Sequence, residues 1–376
     1  MLIKNGLVFR ESGFEHADIR VKDGRFTELA PNGSLSPEQG EEVMDVQGMR
    51  ILPGLVDVHS HGRTGEDFSF VTEETVQKLC LSYAECGVTA VLGTTMTNDP
   101  ATVEASIAAM GRYRGEGGAK LLGIHMEGPF LGKDKKGAHD EAYLCEPDKK
   151  WVDKLQNLSN HQIRLITVDP CLPGASEFIS ACKEDGIFVS LGHTSCDYDT
   201  ALQAADYGAD HVTHLFNAMN PLLHRAPGLI GAAADKGMYM ELICDGIHVH
   251  PSLIRLMFAA GAEQMLLISD SMQAAGLSDG EYELGGLQVF VKEGKATLAD
   301  GTIAGSTTNV YDAMVNVIRF GVPAEQAIRS ASYLPAKSIG MEDKVGSIRP
   351  GAAADFLVVA DDWKLCHVYI DGKCIK

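Results

Sequence analysis

Six side chains that can bind a metal ion each follow an apolar, strand-like run of this sequence. They are His59, His61, Glu127, His193, His214 and Asp270. Imidazole and carboxylate ligands suit zinc or iron(II) and can leave a coordination position open for water. Two histidines alone would be weak evidence, but a whole set of such groups is costly to bury without a metal to satisfy them. The set therefore predicts a divalent-metal site.

The spacing of these residues suggests a role for some of them. His59 and His61 are two positions apart on an extended segment, so both imidazoles point the same way and can bind one metal. Asp270 ends the last strand-like run. A hydrolytic metal site activates water near neutral pH, and a carboxylate beside it can take the proton and return it to the leaving amine. We therefore expect Asp270 to be the general base and acid, whether or not it also binds the metal.

A second group of polar residues lies on loops after the same strands, where substrate contacts are expected. Asn217 and His248 follow the sixth and seventh strands, and His139 lies in a basic, glycine-containing loop. Arg225 suits the forked recognition of a phosphate or a carboxylate. A surface ion pair explains Arg225 equally well, and the lysines of residues 133–137 are typical of solvated loop charges.

The elements that must position these residues alternate along the middle of the chain. Apolar strand-like runs cover residues 54–59, 88–94, 121–126, 163–168, 187–192, 211–215, 240–245 and 265–269. Amphipathic helical segments lie between them at 73–86, 102–113, 175–185, 198–207 and 251–260. Eight strand–helix units close a (β/α)8 TIM barrel, in which the active site lies at the carboxyl ends of the strands. A doubly wound open sheet is the alternative, but no GxGxxG opens the first strand–helix turn.

Both ends of the chain have the pattern of short strands joined by tight turns. Asn5-Gly6, Asp23-Gly24 and Asp371-Gly372 predict hairpin turns. We expect residues 1–50 and 345–376 to form one small β-sandwich domain and residues 51–344 to form the barrel. Residues 281–298 predict an antiparallel excursion after the eighth strand, and residues 319–335 a further helix.

Composition excludes several classes of function. A net charge of −19 over 376 residues argues against binding to nucleic acid or to an anionic membrane surface, although local cations can still bind a small anionic substrate. The nine cysteines include no CxxC pair, which is typical of reduced cytosolic thiols rather than disulfides or a zinc knuckle. The chain shows no signal peptide and no run of about 20 apolar residues. We therefore expect a cytoplasmic protein.

The motifs around these residues resemble the amidohydrolase superfamily, and within it the N-acetylglucosamine-6-phosphate deacetylase family. The resemblance covers nearly the whole chain, and the joint order and spacing of the motifs make it specific. The motifs are PGLVDVHSHG at 53–62, GIHMEGPF at 123–130, KKGAH at 135–139, LGHT at 191–194, THLFNAMNP at 213–221, HRAPGLIG at 224–231, DGIHVHP at 245–251, ISDSM at 268–272 and LADGTIAGS at 298–306.

The resemblance implies deacetylation of N-acetylglucosamine 6-phosphate in amino-sugar catabolism and cell-wall sugar recycling. It implies Glu127, His193 and His214 as the main metal ligands and Asp270 as the acid–base residue. It also implies a homodimer in which Arg225 reaches the phosphate of the neighbouring subunit. The substrate contacts that it implies are Ala138, His139, Asn217, Ala218, Arg225, His248, Ile303, Ala304, Gly305 and Ser306.

Two features of the sequence depart from common patterns of the superfamily. Many amidohydrolases bridge two metals with a carboxylated lysine on the fourth strand, but residues 163–168 contain no lysine, and Glu127 would take the bridging place. Some of the deacetylases lack the first HxH and keep one metal, whereas His59 and His61 are both present here. The sequence therefore predicts one metal site, zinc or iron(II), and allows a second.

Three other functions remain open at this point. The substrate of a deacetylase could be N-acetylgalactosamine 6-phosphate, because the sequence does not reveal which loop reads the C4 hydroxyl. A cyclic-amide hydrolase or aminopurine deaminase of the same superfamily is the second, although the loops at 135–139 and 224–228 argue against it. The third is a scaffold that has lost catalysis, and such a protein would be expected to have lost metal ligands.

Overall fold

The computed structural model describes residues 1–11 and 13–376. Its strands are β1 (Leu2–Arg10), β2 (Gly13–Lys22), β3 (Arg25–Pro31), β4 (Val43–Asp45), β5 (Arg50–Pro53), β6 (Leu55–Ser60), β7 (Gly62–Arg63), β8 (Glu66–Asp67), β9 (Val88–Thr95), β10 (Lys120–Glu127), β11 (Ile163–Val168), β12 (Phe188–Leu191), β13 (His211–Val212), β14 (Tyr239–Ile243), β15 (Met265–Ile268), β16 (Gly280–Leu284), β17 (Leu287–Lys292), β18 (Lys295–Thr297), β19 (Phe356–Val359), β20 (Leu365–Ile370) and β21 (Lys373–Cys374).

The helices lie mainly between the strands of the middle region. They are α1 (Glu73–Glu85), α2 (Pro100–Arg112), α3 (Lys149–Leu158), α4 (Ala175–Glu184), α5 (Tyr198–Tyr207), α6 (Gly228–Lys236), α7 (Pro251–Gly261), α8 (Val310–Arg319), α9 (Ala324–Ala331) and α10 (Tyr333–Ser338). None of the helices in the described residues is long and apolar enough to cross a membrane.

Eight parallel strands form the barrel, in the order β15-β14-β13-β12-β11-β10-β9-β6. The two ends of this series meet, because the Asp270 amide donates to the His59 carbonyl at 2.9 Å and the Ser269 hydroxyl donates to the Asp57 carboxylate. The interior is filled by branched side chains such as Val56, Leu165 and Ile268, and α10 packs against them. The predicted (β/α)8 barrel is confirmed, and the open doubly wound sheet is wrong.

Three helices were missed by the sequence pattern, namely α3, α6 and all of α8 except its last residue. Only Val152 and Leu155 of α3 are buried, so its apolar stripe is too short to identify the helix. Several buried residues of α6 are small, and the helix begins at Gly228, a residue type with low helix propensity. The sequence of α6 therefore resembles that of a loop. The predicted helix at 319–335 is instead the end of α8 followed by α9 and α10.

The chain termini form a separate sheet of eight strands beside the barrel. Seven of them follow the order β21-β20-β19-β5-β1-β2-β3, and β4 pairs with the amino-terminal half of β1. The carboxyl-terminal strand β19 therefore lies against β5, with Phe356 opposite Pro53 and Val359 opposite Arg50. Asp371, in the turn after β20, and Asp355, just before β19, both bind the Lys120 ammonium of β10. These ion pairs fix the sheet to the barrel.

One of the three predicted hairpin turns is wrong. Asp23-Gly24 joins β2 to β3 and Asp371-Gly372 joins β20 to β21, as predicted. Asn5-Gly6 instead lies inside β1, where the register with β2 shifts between Ile3 and Gly6. A Cβ at Gly6 would overlap the Ile51 side chain, so this glycine serves close packing and not a turn.

A three-stranded antiparallel sheet, β16-β17-β18, follows the eighth barrel strand. This confirms the excursion predicted at residues 281–298. Its apolar side chains pack on Met96 and Met272, and the chain after it is joined to the barrel through the Ser306 amide, which donates to the Asp270 carbonyl at 2.7 Å. The sheet therefore covers part of the carboxyl face of the barrel, beside Asp270.

Candidate metal centre and active site

The six predicted metal-binding side chains converge at the carboxyl ends of the barrel strands. Their exposed fractions lie between 0% and 7%, for His59, His61, Glu127, His193, His214 and Asp270. Three of them stand just past their strands with left-handed backbone, with φ of 48° at His193, 28° at His214 and 47° at Asp270. Non-glycine residues rarely adopt this conformation, and it is concentrated at functional sites.

Glu127 lies at the middle of the group and contacts both sides of it. Its Oε1 lies 3.1 Å from His193 Nε2 and 3.0 Å from His214 Nε2. Its Oε2 lies 3.1 Å from His61 Nε2 and 3.5 Å from His59 Nε2. The single carboxylate therefore joins two halves of the centre, one with His193 and His214 and one with His59 and His61.

Asp270 belongs to the half that contains the HxH pair. Its Oδ1 lies 3.2 Å from His61 Nε2 and 3.6 Å from His59 Nε2. The side chain lines a cavity of about 570 Å³ that opens at the carboxyl face of the barrel. A carboxylate in this position faces both the metal-binding residues and the space open to a substrate.

The donor set fits a divalent metal. Nitrogen and oxygen donors that share an ion at about 2.1 Å stand roughly 3 to 3.5 Å apart. The donors here stand 3.0 to 3.1 Å apart in the first half and 3.1 to 3.6 Å apart in the second. The Nε2 atoms of His61, His193 and His214 all lie 3.0 to 3.1 Å from the Glu127 carboxylate, so their donor atoms converge at one place. The chemistry and spacing of the set therefore suit a metal better than a histidine-rich core.

The electrostatics of the centre favour positive charge. Burial alone would lower the pKa of His61, but the carboxylates of Asp270 and Glu127 raise it to about 9. Burial alone would raise the pKa of Asp270, but His59 and His61 lower it to about 2. Buried carboxylates thus remain ionised and attract cationic charge to their neighbours, which is the electrostatic requirement of a divalent cation.

His139 lies beside the centre, but its hydrogen bonds prevent it from acting as a ligand. The Thr97 amide donates to His139 Nδ1 at 3.3 Å, and the Thr97 hydroxyl lies 2.8 Å from the same atom. An amide can only donate, so Nδ1 is the acceptor and the neutral ring carries its proton on Nε2. Burial lowers the pKa of this imidazole to about 4, which keeps it neutral. Although its Nε2 is 3.4 Å from Glu127 Oε2, His139 therefore presents an N–H donor and no lone pair to the cavity.

His193 has the opposite tautomer. Its Nδ1 lies 2.8 Å from the Lys135 carbonyl oxygen, which can only accept, so Nδ1 carries the proton. The lone pair of Nε2 then faces Glu127 and His214. Contacts on the protein side of the ring thus separate a metal ligand from a hydrogen-bond donor, although both are buried histidines in the same cavity.

Most of the predicted substrate contacts line the same cavity. They include Ala138, His139, Asn217, Ala218, His248, Ile303 and Gly305. His248 is held by Asp245, whose Oδ2 lies 2.7 Å from Nδ1, and its Nε2 is buried without a partner in the described residues. It can therefore offer that atom to a ligand.

Two predicted substrate contacts lie elsewhere. Ala304 is fully buried in the cluster beneath the three-stranded sheet, and the Ser306 hydroxyl donates to the Ser269 carbonyl at 2.6 Å. Neither residue lines the cavity, so both support the loop whose neighbours, Ile303 and Gly305, do line it.

Arg225 does not reach the metal-binding cavity of its own chain. It lines a separate surface cavity of about 540 Å³ together with Tyr198 and Asn220. The lysines of residues 133–136 were predicted as solvated charges, yet all three line the cavity at the metal centre. The cations that one chain places there are therefore these lysines and not Arg225.

Sequence reasoning gave no role to three residues of the site. Glu241 lies on β14 with its Oε2 2.8 Å from His59 Nδ1, Asp245 holds His248, and Thr97 sets the tautomer of His139. A charged residue inside the apolar run of β14 was a visible signal for Glu241. Asp245 stands three residues before His248, so its spacing was also a visible signal. Thr97 depends on a contact between two loops, which no sequence pattern contains.

Comparison with known proteins gives matches along nearly the whole chain. Residues 50–375 match the model of the Amidohydrolase family. The N-acetylglucosamine-6-phosphate deacetylase of Vibrio furnissii is 34% identical over 329 residues, covering 86% of this chain and 82% of that protein. The N-acetylgalactosamine-6-phosphate deacetylase of Escherichia coli O157:H7 is 33% identical over 371 residues, covering 98% of this chain and 97% of that protein.

Solved structures agree with these matches. The N-acetylglucosamine-6-phosphate deacetylase from Pasteurella multocida gives a TM-score of 0.93 at 28% identity and covers 99% of this chain and 98% of its own. A mutant of the deacetylase from Mycobacterium smegmatis, in complex with N-acetyl-D-glucosamine-6-phosphate, gives 0.92 at 29% identity and covers 100% and 99%. The chain therefore belongs to the amidohydrolase family and, within it, to the deacetylases of N-acetylated amino-sugar 6-phosphates.

Proposed function

We propose that this protein hydrolyses the acetamide of N-acetyl-D-glucosamine 6-phosphate to D-glucosamine 6-phosphate and acetate, in amino-sugar catabolism and cell-wall sugar recycling. The observation that carries the proposal is the joint position of Asp270 and His139 in one cavity, beside a set of metal-binding side chains. The relatives from Vibrio furnissii and Pasteurella multocida carry the name of this activity.

Asp270 is the general base and acid of the proposed reaction. Its low pKa keeps the carboxylate ionised at neutral pH, so it can accept a proton from the attacking water. It then returns that proton to the amine nitrogen as the carbon–nitrogen bond breaks. The position of Asp270 on the cavity wall supports this role, because the carboxylate must reach both the water and the leaving nitrogen.

His139 stabilises the charge that develops on the acetamide oxygen. Its neutral ring carries a proton on Nε2, which it can donate to this oxygen in the transition state. The Thr97 amide fixes this tautomer before the substrate binds, so no proton has to move within the ring during the reaction.

Glu127, His193 and His214 would hold the main metal, and His59 and His61, with Asp270 beside them, a second one. Zinc and iron(II) both suit these ligands. A bound divalent metal supplies a Lewis acid for the carbonyl oxygen and lowers the pKa of water.

His248, Asn217 and Ala218 bind the sugar phosphate in this proposal. A negative ligand also needs a cation, and Arg225 of a neighbouring subunit supplies it in a homodimer. Two exposed leucines support an interface there, because Leu222 and Leu223 beside Arg225 are 42% and 52% exposed. We place the enzyme in the cytoplasm on the basis of its cysteine content.

The proposed division of the chain assigns residues 1–50 and 345–376 to a small β domain and residues 51–344 to the catalytic barrel. The apolar cluster on one face of the terminal sheet, which contains Ile19, Phe26 and Phe356, supports a second core. The other face of the sheet, with Phe9 and Leu357, packs against the barrel cluster. Strand β5, at Arg50–Pro53, extends the terminal sheet to the start of the barrel.

N-acetyl-D-galactosamine 6-phosphate is the second candidate substrate. A relative with this name matches 98% of the chain at an identity close to that of the N-acetylglucosamine-6-phosphate deacetylases. The two sugars differ in the orientation of one hydroxyl. A site that binds this hydroxyl by hydrogen bonds is left with unpaired groups when the hydroxyl points the other way, so kinetics with both epimers decide between them.

A substrate panel tests the proposed function. Acetate release is measured from both 6-phosphates and from unphosphorylated N-acetylglucosamine, and ring opening is measured for a cyclic imide as a substrate of another class. We expect kcat/KM to be highest for N-acetyl-D-glucosamine 6-phosphate and much lower without the phosphate. A preference for the galacto epimer would replace the glucosamine assignment with the second candidate. Turnover of the cyclic imide alone would overturn both.

A further inference from the structure

Glu241 is a charged residue in the interior of the barrel. It lies on β14 between Met240 and Leu242, and its exposed fraction is 0%. A buried carboxylate costs several kcal/mol unless nearby groups compensate for the lost hydration. Its partners therefore indicate why this position is not apolar like its neighbours.

The Glu241 side chain contacts both halves of the metal centre. Its Oε2 lies 2.8 Å from His59 Nδ1 and accepts the His214 backbone amide at 3.2 Å. Its backbone carbonyl also accepts the Leu215 amide at 2.7 Å. Glu241 Oε1 has no partner among the described residues. Among the described residues, both hydrogen bonds of the Glu241 carboxylate are thus made by Oε2, and both partners belong to the metal centre.

The contact with Glu241 fixes which nitrogen of His59 can bind a metal. A carboxylate accepts hydrogen bonds, so Nδ1 carries the ring proton and donates it. The lone pair on Nε2 then faces His61 Nε2 at 3.3 Å, Glu127 Oε2 at 3.5 Å and Asp270 Oδ1 at 3.6 Å. With the other tautomer, an N–H group would point at these atoms and could not coordinate a metal.

The two halves of the centre differ in what holds their histidines. In the first half, the Lys135 carbonyl fixes His193. In the second half, His61 Nδ1 has no partner in the described residues, so Glu241 is the one group that orients a ring there. Loss of this carboxylate should therefore affect the His59/His61 half more than the half with His193 and His214.

We propose that Glu241 is a positioning residue that fixes His59 as a metal ligand and so determines whether the His59/His61 half of the centre binds an ion. The inference rests on the proposed metal centre and deepens it. Glu241 touches neither substrate nor metal in this arrangement and acts through His59. Outer partners of this kind change metal affinity by roughly 10- to 100-fold.

Zinc titration of the metal-free protein tests the proposal without any measurement of activity. We expect the wild type to bind two ions, and Glu241→Gln to bind the second roughly 10- to 100-fold more weakly. The affinity for the first ion should change less, because Glu241 contacts only the backbone amide of His214 in that half. Nitrogen-15 NMR of the metal-free protein, at a pH where the His59 ring is neutral, should show its proton on Nδ1 in the wild type and its partial transfer to Nε2 in Glu241→Leu, where Nδ1 has no acceptor. A merely structural role would not change this tautomer.

Asp245→Asn is the matched control. Asp245 is also a carboxylate that holds a histidine Nδ1, at 2.7 Å from His248, but it lies outside the metal-binding set. This variant should bind two zinc ions with the affinities of the wild type. If it loses the second ion as Glu241→Gln does, the effect is general to this face of the barrel and the proposal is wrong.

A double-mutant cycle with His59 makes the test independent of stability. If Glu241 acts through His59, His59→Ala alone and His59→Ala with Glu241→Gln should weaken the second ion equally. Additive losses would overturn the proposal. Should Glu241→Gln fail to fold, Glu241→Asp keeps the charge but draws the carboxylate back from His59, and the same loss is expected. Unchanged zinc binding in these variants would contradict this inference and leave the proposed function standing. Absence of acetate release from the wild type would contradict the proposed function and leave this inference standing.

Discussion

Each imidazole at the centre has one nitrogen that faces the cavity and one that faces the protein. The contact on the protein side decides what the other nitrogen can do, because a neutral ring carries one proton. The Lys135 carbonyl makes His193 a lone-pair donor to the cavity, and the Thr97 amide makes His139 a proton donor to it. Neighbouring histidines thus acquire different chemistry from single backbone contacts.

Asp270→Asn should abolish most of the turnover. The amide has nearly the same shape but cannot accept a proton from water, so we expect kcat to fall roughly 10²- to 10⁴-fold. Metal at the half with Glu127, His193 and His214 should remain, since none of these residues uses Asp270 as a partner. Acetate release and elemental analysis of the same preparation measure both quantities.

Three outcomes of these measurements bear on the role of Asp270. Loss of turnover with all metal retained supports the role of base and acid. Near-normal turnover contradicts it. Loss of one ion together with activity would show that the carboxylate acts mainly as a ligand. Asp245→Asn, an equally conservative change on the same face, should keep the metal content of the wild type.

Whether a residue of the site could be predicted from the sequence depends on what places it there. His59, Glu127 and His193 were predicted because strand ends of a parallel barrel meet at one face, so position along the chain implies position in space. Glu241 was missed because its role depends on which strand lies opposite His59 and on the direction of its side chain. Arg225 was recognised as an anion-binding residue, yet its own chain places it away from the cavity.

At the scale of elements, the site is built from strand ends whose backbone turns sharply. His193, His214 and Asp270 follow β12, β13 and β15 in left-handed conformation, each costing of order 1 kcal/mol or more. This turn of the backbone points each side chain toward the metal-binding centre and away from the barrel wall. Hydrogen bonds hold the turns in place, such as that from the Asp270 amide to the His59 carbonyl.

Gly54→Ala tests how closely the elements pack below the site. Gly54 joins β5 to β6, and a Cβ there would overlap the Thr89 hydroxyl and stand 2.7 Å from Thr89 Cγ2. We expect the free energy of unfolding to fall by about 1–3 kcal/mol, because the buried threonine cannot move away without disturbing β9. Urea unfolding and the melting temperature report the change.

Gly13→Ala serves as the comparison for this substitution. Nothing lies within 4 Å of a Cβ at Gly13, so the change in stability should stay within about 0.5 kcal/mol. Removing the clash from the other side, by Thr89→Ala in the Gly54→Ala background, should recover part of the loss. Equal stability of Gly54→Ala and the wild type would contradict the close packing at this junction.

The strands were easier to predict than the helices for a physical reason. Barrel strands are buried on both faces, so each gives a near-continuous apolar run, and β11 was predicted at its observed bounds. Helices such as α3 bury only a narrow stripe, which a short sequence window hardly distinguishes from a loop. Asn5-Gly6 failed as a turn because Ile51, distant in sequence, decides what fits at that glycine.

At the scale of the whole molecule, Arg225 raises the question of which chain it serves. It lies apart from the cavity of its own subunit, beside the exposed side chains of Leu222 and Leu223. A symmetric dimer can place the same loop of each subunit over the cavity of the other. The proposed phosphate contact would then exist only in the assembled enzyme.

Complementation between two defective variants tests this arrangement. Arg225→Ala should raise KM for the phosphorylated sugar, and Asp270→Asn should lower kcat. In a mixed dimer, the cavity of the Arg225→Ala chain has its own Asp270 and receives Arg225 from the other chain. Random mixing of equal amounts should therefore restore about a quarter of the wild-type kcat/KM per chain, since half of the dimers are mixed and one of their two sites is intact.

The control for complementation is the sum of the separate variants. If Arg225 serves its own chain, the re-assorted mixture has no intact site and shows only that sum. Sedimentation of the wild type provides a second check. A monomer at assay concentrations with full activity would exclude any contribution from a neighbouring subunit.

The sheet that unites the two ends of the chain has a consequence for how the protein is made. Strand β5 emerges from the ribosome early, but its neighbour β19 is among the last segments to be synthesised. Until then one edge of β5 stays unpaired, and Lys120 lacks the carboxylates of Asp355 and Asp371. The barrel strands can associate during translation, whereas the terminal sheet closes only at the end of synthesis. Chains released early would therefore keep an open strand edge, which quality-control proteases and chaperones can recognise.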